Sequence, residues 1–219
     1  EGSAFMNCRP EDMRLYAVTD RTWLKGETLE SAVEKALKGG ATFVQLREKH
    51  LDTEAFLEEA KKLKNVCARY HVPFVINDNV EIALLVDADG VHVGQSDMEA
   101  LDARKKLGPD KIIGVSCKTV EQALLAQSHG ADYLGVGAMY PTGTKTDATA
   151  VTPEALAAVC KAVDNPVVAI GGIRKDRLAP LKGTGVDGVA VVSAIFAAPD
   201  IEKAAKELKE SVTQLLCEE

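Results

Sequence analysis

Short apolar runs rich in β-branched residues recur along the chain and alternate with longer segments whose apolar residues fall at three- and four-residue steps. The short runs read as strands at Leu15–Thr19, Thr42–Leu46, Pro73–Ile76, Gly90–Val93, Ile112–Ser116, Tyr133–Val136, Val167–Ile170 and Gly188–Val192. The longer segments read as amphipathic helices at Thr28–Lys38, Thr53–Tyr70, Val120–His129, Pro153–Val163 and Ile201–Leu216, with Lys and Glu on their outer faces. Gly39-Gly40-Ala41, His129-Gly130-Ala131-Asp132 and Gly183-Thr184-Gly185-Val186-Asp187 each follow such a helical pattern. There Gly suits a helix C-cap before the next strand. Strand and helix in alternation mark parallel βαβ units, and eight repeats favour closure over an open doubly wound sheet. The expected fold is α/β, a single-domain (β/α)8 TIM barrel over residues 14–219, preceded by an arm over residues 1–13.

Composition narrows the class without changing the fold. The chain has 219 residues, 46% apolar and 27% charged, enough for one sizeable core and ordinary for a globular protein. No stretch approaches the roughly 18 consecutive apolar residues of a membrane helix, and Glu1–Met13 lacks the apolar centre of a secretory signal. The expectation is a cytoplasmic protein with no membrane partner, and Met6 and Met13 are the candidate native starts. Cys8, Cys67, Cys117, Cys160 and Cys217 are odd in number and contain no C-x-x-C pair, which argues for reduced structural thiols. A formal net charge of −7 excludes nucleic-acid binding through a broad basic surface, so positive charge must be sought locally.

In a barrel of this kind, residues at and beyond the C-terminal ends of the strands converge on one site. The second run ends Gln45-Leu46-Arg47-Glu48-Lys49, and period two places Gln45, Arg47 and Lys49 on one face. The third run is followed by Asn77-Asp78-Asn79 and the fourth by Gly94-Gln95-Ser96-Asp97. Asp78 and Asp97 therefore follow neighbouring strands, and two carboxylates beside cations suit Mg²⁺. Each Asp alone also fits a turn or helix N-cap, and Asp87 and Asp89 fit that reading better. Ser116 ends the fifth strand. The sixth leads into Thr142-Gly143-Thr144-Lys145, whose amides, hydroxyls and cation suit an anion. Gly171-Gly172 and Val192-Ser193 end the seventh and eighth strands, where such barrels often hold phosphate. His50, His71, His92 and His129 are dispersed without zinc-ligand spacing, and His92 fits a hydrogen-bonded barrel residue.

Taken jointly, Gln45-Leu46-Arg47-Glu48-Lys49, Asn77-Asp78, Gly94-Gln95-Ser96-Asp97, Ser116, Thr142-Gly143-Thr144-Lys145, Gly171-Gly172 and Val192-Ser193 resemble the thiamine phosphate synthase family in order and placement. The resemblance spans Leu15 to Phe196. It implies a transferase that joins hydroxymethylpyrimidine diphosphate to a thiazole monophosphate with Mg²⁺, releasing pyrophosphate. By that resemblance Gln45, Leu46, Arg47, Glu48, Lys49, Asn77, Ser116 and Lys145 hold the pyrimidine diphosphate, with Arg47, Lys49, Lys145 and Ser116 nearest the chemistry. Asp78 and Asp97 bind the metal; Thr142, Gly143, Thr144, Gly172, Val192 and Ser193 hold the thiazole phosphate. Ser96 stands where the family more often carries an acid.

Two other classes compete. A thiazole tautomerase shares the barrel and the thiazole phosphate site but has no use for Arg47, Lys49, Asp78, Asp97 and Lys145. A non-catalytic barrel that binds a thiamine precursor would share the contacts without turnover. The implied partners are two phosphorylated small molecules, and a homo-oligomer is left open by the sequence.

Overall fold

The computed structural model describes residues 7–95, 99–141 and 149–217. Eight strands, β1 (Leu15–Val18), β2 (Phe43–Leu46), β3 (Phe74–Asn77), β4 (Gly90–Val93), β5 (Ile112–Cys117), β6 (Tyr133–Val136), β7 (Val167–Ala169) and β8 (Gly188–Val191), pair in chain order. A parallel β1–β8 pairing closes them into a barrel. Helices α1 (Leu29–Gly39), α2 (Thr53–Arg69), α3 (Val80–Val86), α4 (Glu99–Leu107), α5 (Val120–Ser128), α6 (Pro153–Ala162), the short α7 (Ser193–Phe196) and α8 (Ile201–Cys217) surround it.

Period two sorts the strand side chains into two apolar populations. Tyr16, Phe43, Val75, Ile112, Tyr133, Val168 and Ala190 fill the barrel interior. Their sequence neighbours Leu15, Val44, Phe74, Ile76, Ile113, Leu134, Ala169 and Val189 pack outward against the helices. The interior is thus a packed core with aromatics at its centre: Tyr16 stacks on Phe43 at 4.6 Å between ring centroids, and Tyr133 meets both edge-on.

The helices begin where capping chemistry places them. Thr28, Asp52, Asn79, Thr119 and Thr152 each accept a hydrogen bond from a first-turn backbone N–H of α1, α2, α3, α5 and α6, satisfying a donor that the helix leaves orphaned. Gly40, at φ 110°, ends α1 in the left-handed conformation that the expected floor turn requires.

The seventh connection departs from the sequence pattern. Among the described residues no α-helix lies between β7 and β8; two 3-10 turns, Lys175–Arg177 and Ala179–Leu181, take its place. Pro180 explains this, since proline cannot donate in a helical ladder and disfavours helical backbone at the residue before it. Gly183 therefore follows a 3-10 turn and is no α-helix C-cap.

The N-terminal arm underpins the barrel floor. Cys8 and Met13 are buried in the interior cluster, and the Asn7 amide donates to Asp132 Oδ1 at 3.0 Å. Asp132 also pairs with Arg104 at 2.6 Å and accepts from Ile113 N, so the arm, α4, β5 and β6 meet at one carboxylate. No described helix is long and apolar enough to cross a membrane.

Candidate active site

The C-terminal ends of the strands open into one cavity of about 960 Å³. Its lower wall is apolar, made by Val18, Val168, Ile170 and Ala190; its upper wall carries Arg47, Glu48, Lys49, Asn77 and Asp78. Gln45, His92 and Ser116 face it from β2, β4 and β5. The alternation predicted for β2 is therefore realised: Gln45, Arg47 and Lys49 all reach the cavity, while Leu46 lies fully buried in the outer layer and contributes no side chain to it.

Arg47 and Lys49 have no ion-pair partner among the described residues, so both cations are available to an anion. Glu48 differs. Its carboxylate pairs with Arg21 Nε at 2.6 Å, and the other end of that guanidinium pairs with Glu59 at 3.1 Å. The Glu48 side chain is only 6% exposed, so it serves to anchor the β1 and β2 loops together.

Asp78 resolves the competition between a capping and a ligand role. The cap of α3 is Asn79, whose side chain accepts from Ile82 N at 2.9 Å. Asp78 sits one residue earlier at φ 61°, held there as its N–H donates to the carbonyl of His92 at 2.9 Å. Left-handed backbone at a non-glycine residue is uncommon and clusters at functional sites. Among the described residues its carboxylate meets only Asn77 Nδ2, at 3.3 Å, and it borders the cavity. An uncapped carboxylate beside an amide, open to a cavity that also holds two cations, fits a hard divalent cation whose remaining ligands come from water and phosphate. Asp87 and Asp89 are structural as expected: Asp87 pairs with Lys111 at 2.6 Å, and Asp89 accepts from Phe74 N at 2.8 Å.

At the cavity's base His92 is buried, with Nδ1 2.8 Å from Tyr133 Oη and Nε2 2.7 Å from Ser116 Oγ. Burial, and secondarily the nearby Arg47 guanidinium, pushes its pKa down to about 4, so the ring is neutral. Tyr133 continues to Tyr16 at 2.5 Å between hydroxyls, and Gln45 Nε2 donates to Tyr16 at 2.7 Å.

Gly171 and Gly172 both have positive φ, 94° and 65°, and both border the cavity. A Cβ at Gly171 would fall 2.5 Å from Ala138 Cβ, and one at Gly172 would fall 2.4 Å from the Tyr140 carbonyl. The pair is thus demanded by backbone conformation and by the close approach of the segment after β6, as well as leaving the wall open.

A family model described as thiamine monophosphate synthase matches residues 15–195, which spans all eight strands and every cavity wall. The chain belongs to that family. A thiamine-phosphate synthase of Clostridium botulinum (strain Eklund 17B / Type B) is 52% identical over 93% of this chain and 96% of its own length. One of Clostridium beijerinckii is 54% identical over 90% and 95%. Among solved structures, a thiamine phosphate pyrophosphorylase from Pyrococcus furiosus superposes with a TM-score of 0.85 at 42% identity, covering 94% of this chain and 98% of that one.

Of the residues that the family resemblance singled out, the cavity gathers Gln45, Arg47, Glu48, Lys49, Asn77, Asp78, Ser116, Gly172 and Val192. Ser193 is exposed and opens α7 beyond the cavity's lining. Asp97, Thr142, Gly143, Thr144 and Lys145 lie outside the described residues. The sequence reading passed over Tyr16 and Tyr133 because tyrosine in a barrel strand scores as apolar core; the interior-facing parity of both was nevertheless readable. It also passed over Lys106, from the last turn of α4, which borders the cavity.

Proposed function

We propose that this chain is a thiamine phosphate synthase, a transferase that alkylates a thiazole monophosphate with hydroxymethylpyrimidine diphosphate and releases pyrophosphate. The observation that carries the reading is the convergence of Gln45, Arg47, Lys49, Asn77, Asp78 and Ser116 in one cavity of a chain whose family match spans residues 15–195.

The reaction breaks the bond between the pyrimidine CH₂ and the diphosphate oxygen and forms a bond from that carbon to the thiazole ring nitrogen. That nitrogen carries no proton, so no general base is required. The chain's task is to hold two anionic substrates in line and to neutralise the departing diphosphate. Arg47, Lys49 and Lys145 do this as cations, Asn77 orients the diphosphate, and Gln45 and Ser116 hold the pyrimidine. The apolar wall of Val18, Val168, Ile170 and Ala190 excludes water from the cation-like carbon. Gly172, Val192 and Ser193, with Thr142, Gly143 and Thr144, receive the thiazole phosphate. Leu46 and Glu48 act indirectly, by packing and by the Arg21 pair.

Asp78 and Asp97 would hold Mg²⁺, which when bound supplies charge neutralisation to the diphosphate. A cytoplasmic enzyme is the matching setting. The test is a coupled assay for pyrophosphate release from the two purified precursors with Mg²⁺. Release only when both are present supports the reading; release from neither sinks it.

A further inference from the structure

Five side chains form one unbroken hydrogen-bonded line across the barrel interior: Gln45, Tyr16, Tyr133, His92 and Ser116, from strands β2, β1, β6, β4 and β5. Gln45, Tyr16, His92 and Ser116 all line the cavity, and Tyr133, fully buried beneath them, is the one member of the line that does not. The line is accommodated by the strands around it. A Cβ on Gly114 would lie 2.0 Å from Tyr133 Cζ and 2.3 Å from its hydroxyl, so no other residue at 114 leaves room for the ring.

The hydrogens can be counted. The line has four links, each needing one hydrogen. Gln45 Nε2 donates to Tyr16. Tyr16 then has its own hydrogen only for Tyr133, and Tyr133 only for His92 Nδ1. His92 Nδ1 is thereby an acceptor, so the ring's single proton sits on Nε2 and is donated to Ser116 Oγ. A second ring proton would leave the Tyr133 hydrogen with no acceptor, a costly state inside a buried network. Ser116, having accepted, keeps its own O–H for the cavity. Gln45, having given one N–H to Tyr16, keeps its second N–H and its amide oxygen.

We propose that Tyr16, Tyr133 and His92 are positioning residues that lock the polarity of the Ser116 end of the line, so that Ser116 presents a donor to the pyrimidine ring. This rests on the function proposed above and adds the reason for selectivity. An aminopyrimidine offers a ring-nitrogen acceptor to Ser116. A pyrimidine bearing an oxo group in place of the amine carries a hydrogen on the adjacent ring nitrogen and offers Ser116 a donor against a donor. Because the links run in series through the fully buried Tyr133, the ligand cannot reverse the Ser116 end without reversing every link.

The polarity is tested without any variant by ¹⁵N NMR of the full chain labelled at histidine. The Nε2–H neutral tautomer of His92, with Nδ1 at an acceptor's shift, is expected; a dominant Nδ1–H tautomer or a cationic ring at pH 7 overturns the proposal. Tyr133→Phe then cuts the line while keeping the ring. In wild type the amino-pyrimidine diphosphate should exceed its 4-oxo analogue in kcat/KM by roughly 100-fold or more. In Tyr133→Phe that ratio should fall about 10-fold, with KM for the thiazole phosphate unchanged. If both analogues lose activity equally, the line is only structural and the proposal fails. Tyr16→Phe serves the same comparison should Tyr133→Phe not fold. Absence of any wild-type turnover would reject the enzymatic reading, whereas the nitrogen shifts would still decide the polarity.

Discussion

Glu48 and Arg21 lie 2.6 Å apart, a pairing between the β1 and β2 loops that commits to structure a carboxylate standing between the two cations of the cavity, Arg47 and Lys49. Two neighbours in sequence therefore have separate duties. Glu48→Gln should cost about 1–2 kcal/mol of stability, because the pair is nearly buried on the Glu48 side and 38% exposed on the Arg21 side, with KM for the pyrimidine diphosphate shifted only a few-fold. Arg47→Gln should do the reverse, lowering kcat/KM roughly 100-fold or more at unchanged stability. Urea unfolding and steady-state kinetics on the two variants separate these duties; a Glu48→Gln protein with wild-type stability and collapsed turnover would return that carboxylate to the substrate.

Asp78 is free of capping because Asn79 performs it. On the proposed function, Asp78→Asn should remove most of the divalent-metal dependence together with roughly 100-fold or more of turnover, since a Mg²⁺ site with so few protein ligands cannot absorb one lost charge. Asp97→Asn should behave alike, and calorimetric binding of the thiazole phosphate alone should survive both. Wild-type activity of either variant in excess chelator would contradict the assignment.

Lys145 follows Thr142-Gly143-Thr144 and on the proposed function acts on the diphosphate, so Lys145→Ala should lower kcat/KM roughly 100-fold, about 2.7 kcal/mol of transition-state stabilisation. Ser193→Ala should instead act on the other substrate, raising KM for the thiazole phosphate roughly 10- to 100-fold for one hydrogen bond to a charged acceptor. Kinetics with each substrate varied in turn checks the division; a Ser193→Ala effect confined to the pyrimidine diphosphate would refute it.

His92 supplies a pH signature of stability. Its pKa falls from 6.5 unfolded to about 4 folded, so the unfolded chain takes up the proton first as pH drops. Stability from this group is fully present above pH 6.5 and is lost progressively between pH 6.5 and 4, at most about 3 kcal/mol. Unfolding of wild type and His92→Asn at pH 7 and pH 4.5 isolates it. The stability gap between the two proteins should narrow at the lower pH, and a constant gap would show that the buried ring does not titrate as described.

The local rules of the chain were enough for the architecture and for much of the site. Period two determined that Phe43 and Gln45 face inward while Val44 and Leu46 face the helices, and the capping residues Thr28, Asp52, Thr119 and Thr152 marked where helices begin. The turns before β8 departed from the helical pattern read there, and Pro180, which that pattern did not weigh, is the local reason. These features are decided within a few residues, so a linear pattern expresses them. What only closure decided are the partnerships between strands: Tyr16 with Tyr133, 117 residues apart, and His92 with Tyr133, 41 apart, meet because strands that are not neighbours share one interior. Likewise the choice of Arg21 for Glu48, and of Asn79 over Asp78 for the cap, depends on which donor lies within about 3 Å once the strands are in register, a distance that no spacing along the sequence encodes.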